Sequence, residues 1–113
     1  MVVKMSDVLN RLSSVINERR KGNPNLSYVA KLHELGLDKI LEKIGEESTE
    51  LIISSKNINS SANRNKVVGE VADLWFHCMI LLSHLDGDVE EVLDCLQERF
   101  GVSGLTEKAS RSK

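Results

Sequence analysis

Apolar residues recur along this chain every three or four positions, which is the spacing of one face of an α-helix. Strand-like alternation of apolar and polar residues lasts nowhere long enough to predict a sheet. The fold class predicted from this pattern is all-α, a bundle of four to five helices. The pattern predicts a first helix that begins near Met5 and stops at 21–24, a short second helix capped by Ser27 and ended by Gly36, a third over 37–56, a loop over 57–65, a fourth over about 66–85, and a fifth from Asp88 through Phe100.

The predicted fourth helix is apolar in almost every direction from Val71 to Leu85. A helix that is apolar nearly all round is buried on more than one side. In so short a chain such burial usually requires a second subunit, so the pattern favours a homodimer. His77 and His84 interrupt the apolar run, which is therefore expected to be too short to span a membrane.

Length and composition predict a single domain. The 113 residues are near the common size for one hydrophobic core, and 41% of them are apolar. Aromatic residues make up only 4% of the chain, which favours aliphatic helix packing over a β-sandwich. The expected divisions are an N-terminal helix and loop (1–25), a helical core (26–100) and a flexible tail (101–113). The formal net charge of −2 does not favour nucleic acid as a partner.

The cysteine usage is typical of a protein in a reducing environment. Cys78 and Cys95 stand singly in apolar helical patterns, so both are expected to be reduced thiols in the core. His77 and His84 are expected to be hydrogen-bonded core residues, and His33 is expected at the surface. The N-terminus shows no targeting signal, so the predicted location is the cytoplasm.

Two pairs of acidic residues carry the chemistry that the sequence suggests. Glu47 and Glu50 are three residues apart in the third helix, and Glu70 and Asp73 have the same spacing in the fourth. Residues spaced i,i+3 lie on one face of a helix, so the carboxylates of each pair are neighbours. Four converging carboxylates would need a cation, and oxygen ligands are what Mg²⁺ or Mn²⁺ prefers. This donor set points to phosphate chemistry.

Spacing alone leaves other interpretations of these acidic residues open. They could form a solvated face, and Glu70 near a helix start would also interact favourably with the helix dipole. Against this, Asp73 stands inside a hydrophobic helix, where an unpaired charge would cost several kcal/mol unless a metal or a lysine such as Lys43 or Lys56 relieved it. An oxygen-activating di-iron bundle would require Glu-x-x-His repeats, whereas His77 follows Glu70 by seven positions.

Four segments carry a family resemblance: SYVAKL at 27–32, GLDKILEKIGEESTE at 36–50, ADL at 72–74 with His77, and GLTEKASR at 104–111. Together they resemble phosphoribosyl-ATP pyrophosphatase of histidine biosynthesis. The Glu-Glu-x-x-Glu and Glu-x-x-Asp elements by themselves mark only the wider MazG-type superfamily. The resemblance implies a MazG-like homodimeric bundle and Mg²⁺-dependent hydrolysis of phosphoribosyl-ATP to phosphoribosyl-AMP and pyrophosphate, the second step of that pathway.

Carried over position by position, the resemblance implies a role for each acidic residue. The metal ligands would be Glu47, Glu50, Glu70 and Asp73, with Glu46 beside them as a further catalytic residue that orients water. The candidate substrate contacts are Ser27, Tyr28, Lys31, Lys43, Lys56, Lys108 and Arg111. Two alternatives stay open: a MazG-type pyrophosphatase acting on other, non-standard nucleoside triphosphates, and a helical interaction module without enzymatic activity. The sequence fixes neither the number of metal ions nor the general base.

Overall fold

A computed structural model of the chain describes residues 5–57, 59 and 61–101. Within these residues no strand is present, and the secondary structure is helical. The helices are α1 Met5–Arg19, α2 Tyr28–Leu35, α3 Leu37–Lys56, α4 Ser61–His84 and α5 Val89–Glu98, followed by a 3-10 turn over Arg99–Gly101. The predicted all-α class is confirmed, as are the five predicted helices.

Local sequence sets the connections on both sides of α2. The Ser27 hydroxyl caps the helix by accepting a hydrogen bond from the Ala30 backbone N–H at 3.2 Å. Gly36 ends it with a φ of 99°, in the left-handed region that side chains disfavour, and its N–H donates to the Leu32 carbonyl at 2.9 Å. Since α3 begins at Leu37, this one glycine turns the chain from α2 into α3.

The start of α4 was predicted too late in the sequence. The helix begins at Ser61 rather than near Lys66, so several polar residues assigned to a loop are helical. The Asn63 side-chain amide donates to the Asn57 carbonyl oxygen at 2.9 Å and to Asn59 Oδ1 at 2.7 Å. These bonds tie the α3–α4 connection to the first turns of α4, so a polar side chain supports the helix start here instead of marking a loop.

The start of α5 agrees with the predicted capping box. The Asp88 side chain accepts from the Glu90 N–H at 3.1 Å, and the Glu91 carboxylate accepts from the Asp88 N–H at 2.7 Å. The helix ends at Glu98, before the predicted end at Phe100, and passes into the 3-10 turn. Phe100 is 86% exposed, so no core packing extends the helix that far.

One hydrophobic core joins the five helices, each of which contributes at least one buried side chain. The buried members are Ile16, Val29, Leu32, Ile40, Met79, Ile80 and Val89. α3 and α4 make the most extensive contact of any helix pair. Because only a short connection joins them, they run antiparallel as a hairpin. This hairpin carries both acidic pairs.

A polar junction anchors the C-terminal end of α4 to α1. Ser83 is buried, and its hydroxyl donates a hydrogen bond to Asn17 Oδ1. The Arg20 guanidinium donates to the Ser83 carbonyl oxygen and lies 3.6 Å from the Asp86 carboxylate. Burial without partners would make these groups costly, so their mutual pairing fixes how α1 crosses the end of α4.

His33 is not the surface residue that the sequence suggested. It is half-buried, and its Nδ1 lies 3.0 Å from Nδ1 of His84 on α4. The ring centroids are 5.1 Å apart with planes inclined by 24°, so the two rings are stacked. One imidazole must donate and the other accept, because two Nδ1–H groups would repel. The pair therefore shares a single proton between α2 and α4.

This histidine pair predicts a pH-dependent stability. Burial lowers the pKa of His33, and the positive charges of Arg20 and His84 lower it further. Below a pH of about 6.5 the unfolded chain binds a proton at His33 that the folded protein does not bind. The folded state therefore loses stability as the pH falls from about 6.5 towards the lowered pKa of His33 in the folded protein. Melting temperatures of the wild type and His33→Asn at pH of about 7.5 and about 5.5 would test this. We expect the wild type to lose more between the two values; an equal loss would contradict the assignment.

The cysteines are free, as predicted, but they are not in the core. Cys78 and Cys95 are both exposed. Cys78 lies on α4 beside Trp75, in an apolar groove of about 320 Å³ between α1, α4 and α5. The prediction failed because apolar neighbours in sequence were taken to mean burial within one chain, whereas this face of α4 is open.

α4 also bears on the expectation that no segment could span a membrane. The stretch Asn63–His84 is long and apolar enough to cross a bilayer by length and composition alone, despite the interruption at His77. The core helix of a soluble protein passes the same test. In this protein 22% of the apolar stretch is buried, and His77 is one of its buried residues.

Candidate metal centre between α3 and α4

The α3–α4 hairpin brings acidic residues from both helices together. Glu47 on α3 and Glu70 and Asp73 on α4 each offer one carboxylate oxygen, and these three oxygens lie within 4.8 Å of one another. Three of the four predicted metal ligands therefore converge. The i,i+3 spacing of Glu70 and Asp73 places both on the side of α4 that faces α3.

Glu50, the fourth predicted ligand, is exposed and is not among the three residues whose oxygens converge. The pKa of Glu70 is raised first by burial and then by the negative charge of Glu50. Glu47 raises the Glu70 pKa further, and a protonated Glu70 can hydrogen-bond to either neighbour. Carboxylates this close cannot all ionise freely without a compensating positive charge.

Two oxygens of the cluster are buried and have no hydrogen-bond partner among the described residues: Glu47 Oε2 and Glu70 Oε2. A buried acceptor without a partner is destabilising, and more so when it is charged. Oxygens that share one Mg²⁺ with bonds of about 2.1 Å lie about 3 Å apart when adjacent and about 4.2 Å when opposite. The observed spread is close to that range, and the donors are all carboxylate oxygens, so the residues fit a divalent cation such as Mg²⁺ or Mn²⁺.

Asp73 differs from expectation in its surroundings. The sequence suggested a carboxylate inside a hydrophobic helix, but the Asp73 side chain is exposed. The side chain is therefore open to water and not enclosed by apolar groups. Exposure also leaves Asp73 on the open side of the cluster, where a metal ion carrying phosphate groups could approach.

Glu46 turns towards Lys43 rather than into the carboxylate group. Lys43 Nζ lies 3.1 Å from Glu46 Oε2, one turn earlier on α3. This hydrogen bond is the main cause that raises the Lys43 pKa, and the nearby Tyr28 and Glu47 act in the same direction. Lys43 therefore keeps its positive charge beside the carboxylate cluster.

Tyr28 and His77 form a hydrogen bond that sequence reasoning did not predict. The Tyr28 hydroxyl lies 2.7 Å from His77 Nε2, and His77 Nδ1 lies 2.8 Å from the carbonyl oxygen of Asp73. Burial raises the pKa of Tyr28, while the charge of Lys43 opposes the shift and that of Glu47 adds to it. The sequence feature that could have indicated part of this arrangement is the four-residue spacing of Asp73 and His77, which places them on one face of α4.

The remaining predicted substrate contacts are less closely tied to the cluster. Ser27 is the α2 cap and also donates weakly to the Arg19 carbonyl at 3.5 Å. Lys31 on α2 and Lys56 at the end of α3 are exposed. Lys108 and Arg111 lie outside the described residues, so their predicted contacts are not addressed by the structure.

Comparison with known proteins identifies the family. Residues 9–100 match the family described as phosphoribosyl-ATP pyrophosphohydrolase. The chain is 48% identical over 108 residues to a phosphoribosyl-ATP pyrophosphatase from Hydrogenovibrio crunogenus (strain DSM 25203 / XCL-2), and the alignment covers 96% of each chain. Both matches include the helices that carry the four acidic residues. The chain belongs to the phosphoribosyl-ATP pyrophosphohydrolase family.

Proposed function

We propose that this protein hydrolyses phosphoribosyl-ATP to phosphoribosyl-AMP and pyrophosphate in histidine biosynthesis, in the cytoplasm and with Mg²⁺ or Mn²⁺. The observation that carries the proposal is the convergence of Glu47, Glu70 and Asp73, with two buried oxygens that no other described group satisfies. Family membership and the relative named phosphoribosyl-ATP pyrophosphatase supply the substrate. The net charge of −2 agrees with a small-molecule substrate and favours no nucleic-acid partner.

Glu47, Glu50, Glu70 and Asp73 would hold the divalent cation. When bound, it would neutralise the triphosphate, offset the charge that grows in the transition state and make a coordinated water more acidic. Two packed helices hold these carboxylates, so their spacing is fixed before substrate arrives. The overall change is hydrolysis of the α–β anhydride of phosphoribosyl-ATP: the water oxygen bonds to a phosphorus of this linkage, the bridging phosphorus–oxygen bond breaks, and phosphoribosyl-AMP and pyrophosphate are released.

Glu46 and Lys43, beside the cluster, have different roles in this proposal. Glu46 holds Lys43 through Oε2 and leaves Oε1 to orient the attacking water. Lys43 places a positive charge where a phosphate oxygen would approach the cluster. Lys31, Lys56, Lys108 and Arg111 are further candidates for phosphate contacts.

The experiment that tests the proposal is a pyrophosphate-release assay on phosphoribosyl-ATP with and without Mg²⁺. Release that depends on the metal is expected. A panel of standard and non-standard nucleoside triphosphates, assayed in parallel, separates the wider MazG-type activity, which would prefer one of those substrates. Absence of hydrolysis with every substrate would favour a helical interaction module.

We infer that the working form is a homodimer in which the exposed face of α4 is covered. Large apolar side chains of α4 are open to solvent, among them Val68 at 60% and Trp75 at 49%. α3 adds Leu41 and Ile52. Apolar surface on this scale marks an association site.

A dimer of this kind makes stability depend on protein concentration. If the monomer has little stability alone, the melting temperature should rise when the protein is concentrated, because association favours the folded state by mass action. Sedimentation at low micromolar concentration should give twice the chain mass of 12.6 kDa. A stable, folded monomer under those conditions would contradict the inference.

Cation binding should also stabilise the folded protein. Mg²⁺ at about 100 times its dissociation constant would add about 2.7 kcal/mol to the free energy of unfolding, provided that it binds only the folded state. Asp73→Asn should reduce the rise in melting temperature while leaving the helical circular dichroism signal unchanged, because Asp73 is exposed and its side chain is not needed for packing. A melting temperature that is the same with and without Mg²⁺ would argue against a site formed before substrate binds.

A further inference from the structure

His77 is the buried polar centre of the region behind the metal ligands. Only 6% of it is exposed, and both ring nitrogens are engaged. Nδ1 faces the Asp73 carbonyl oxygen, which can only accept, so Nδ1 carries the proton. In the neutral imidazole Nε2 is then the acceptor, and the Tyr28 hydroxyl must donate to it. The two bonds define a chain from Tyr28 through His77 to the backbone of Asp73.

This direction of donation limits what Tyr28 can do. A phenolic hydroxyl has one proton, and that proton is used by His77. Phosphate oxygens are acceptors, so Tyr28 has no proton left to offer them. The raised pKa of Tyr28, caused mainly by burial, keeps the hydroxyl protonated and therefore a donor. Its position next to the cluster needs an explanation other than phosphate binding.

Asp73 supplies that explanation. Its side chain is exposed, so packing does not hold the carboxylate in place. The position of the carboxylate therefore depends on where α4 holds the backbone of that turn. The His77 ring bonds to the backbone of this turn, and Tyr28 holds the ring from the first turn of α2. The two rings also meet edge to face, with centroids 5.7 Å apart, which favours this arrangement.

We propose that Tyr28 is a positioning residue which, through His77, holds the turn of α4 that carries Asp73 and thereby sets the affinity of the cluster for divalent cations. The inference rests on the proposed metal-dependent function. Groups behind the ligands commonly change metal affinity by about 10–100-fold when they are removed. The effect here acts through the backbone of the ligand, so the lower end of that range is expected.

The test uses Tyr28→Phe, which removes the hydroxyl and keeps the ring. Mn²⁺ is titrated into substrate-free protein, and the free ion is followed by electron paramagnetic resonance. The dissociation constant should rise about 10-fold. In the assay, the metal concentration for half-maximal rate should rise in parallel, while kcat and the KM for phosphoribosyl-ATP at saturating metal should stay within about 2-fold.

Ser83→Ala is the matched control on the same helix. It removes a buried hydrogen bond of similar kind, from the Ser83 hydroxyl to Asn17, at the far end of α4. Both variants should lower the melting temperature, but only Tyr28→Phe should weaken Mn²⁺ binding. His77→Gln is the second probe, and adding Tyr28→Phe to it should weaken Mn²⁺ binding little further, since the two residues act in one chain.

The outcomes separate this inference from the proposed function. Unchanged Mn²⁺ affinity in Tyr28→Phe would overturn it, as would a raised KM with unchanged Mn²⁺ affinity, which would make Tyr28 a substrate contact. A wild type that binds no Mn²⁺ would overturn it together with the metal site. A wild type that binds Mn²⁺ but does not hydrolyse phosphoribosyl-ATP would overturn the proposed function alone, and the titration would still decide the role of Tyr28.

Discussion

Glu47→Gln and Glu70→Gln are each expected to slow pyrophosphate release from phosphoribosyl-ATP by about 10²–10³-fold. Each glutamine keeps the size of the side chain and one carbonyl oxygen but removes the charge that would hold the cation. The loss should fall mainly on kcat, because the cation stabilises charge that grows in the transition state. Steady-state kinetics at saturating Mg²⁺ would measure it.

Glu42→Gln is the control for these two substitutions. Glu42 lies on α3, one turn before Glu46, and its carboxylate pairs with Lys39 at 3.2 Å on the exposed surface. An exposed ion pair contributes about 0–1 kcal/mol to stability, so this variant should fold and retain nearly full activity. Equal losses in Glu42→Gln, Glu47→Gln and Glu70→Gln would mean that the acidic residues form a solvated face and not a metal site.

Ile80→Ala is expected to lower the free energy of unfolding by about 2–5 kcal/mol. Ile80 is fully buried at the centre of the core, so truncation removes its apolar contacts and leaves a cavity that the packed helices can only partly fill. For a domain with a stability of about 5–15 kcal/mol this is a large fraction. Urea denaturation at a fixed protein concentration would measure the change.

Leu35→Ala provides the comparison for the core substitution. Leu35 is the last residue of α2 and is 52% exposed, so its loss should change the free energy of unfolding by no more than about 0.5 kcal/mol. If the two alanine variants were equally destabilised, the core would not be centred on Ile80. Activity measured below the melting point should survive in both, because neither residue belongs to the cluster.

Sequence periodicity predicted α2 and α3 closely because their ends depend on local chemistry. Ser27 and Gly36 act within a few residues of themselves, so the sequence contains all the information that sets these boundaries. The start of α4 depends instead on Asn63 reaching back to Asn57 and Asn59. Composition alone reads such a polar stretch as a loop, since it does not reveal which acceptors the side chains meet.

The acidic cluster could be predicted because helical spacing survives folding unchanged. Glu47 and Glu70 needed only the assumption that α3 and α4 form a hairpin. The histidine pairing could not be predicted in the same way, because His33 meets His84 only through the angle at which α2 crosses α4. The exposure of Asp73 was missed for a related reason: a hydrophobic neighbourhood in sequence does not say which side of the helix is covered.

α4 faces three environments at once. Ile80 points into the core, Glu70 belongs to the cluster, and Trp75 lines the open apolar groove. Because each side of α4 has a role, almost every substitution in this helix is expected to affect the core, the cluster or the groove. Substitutions that accumulate during divergence should therefore collect on the outer faces of α1 and α5, and change along α4 should be slow. Residue choices in α4 would then be a better guide than overall identity to whether a distant relative has kept the same chemistry.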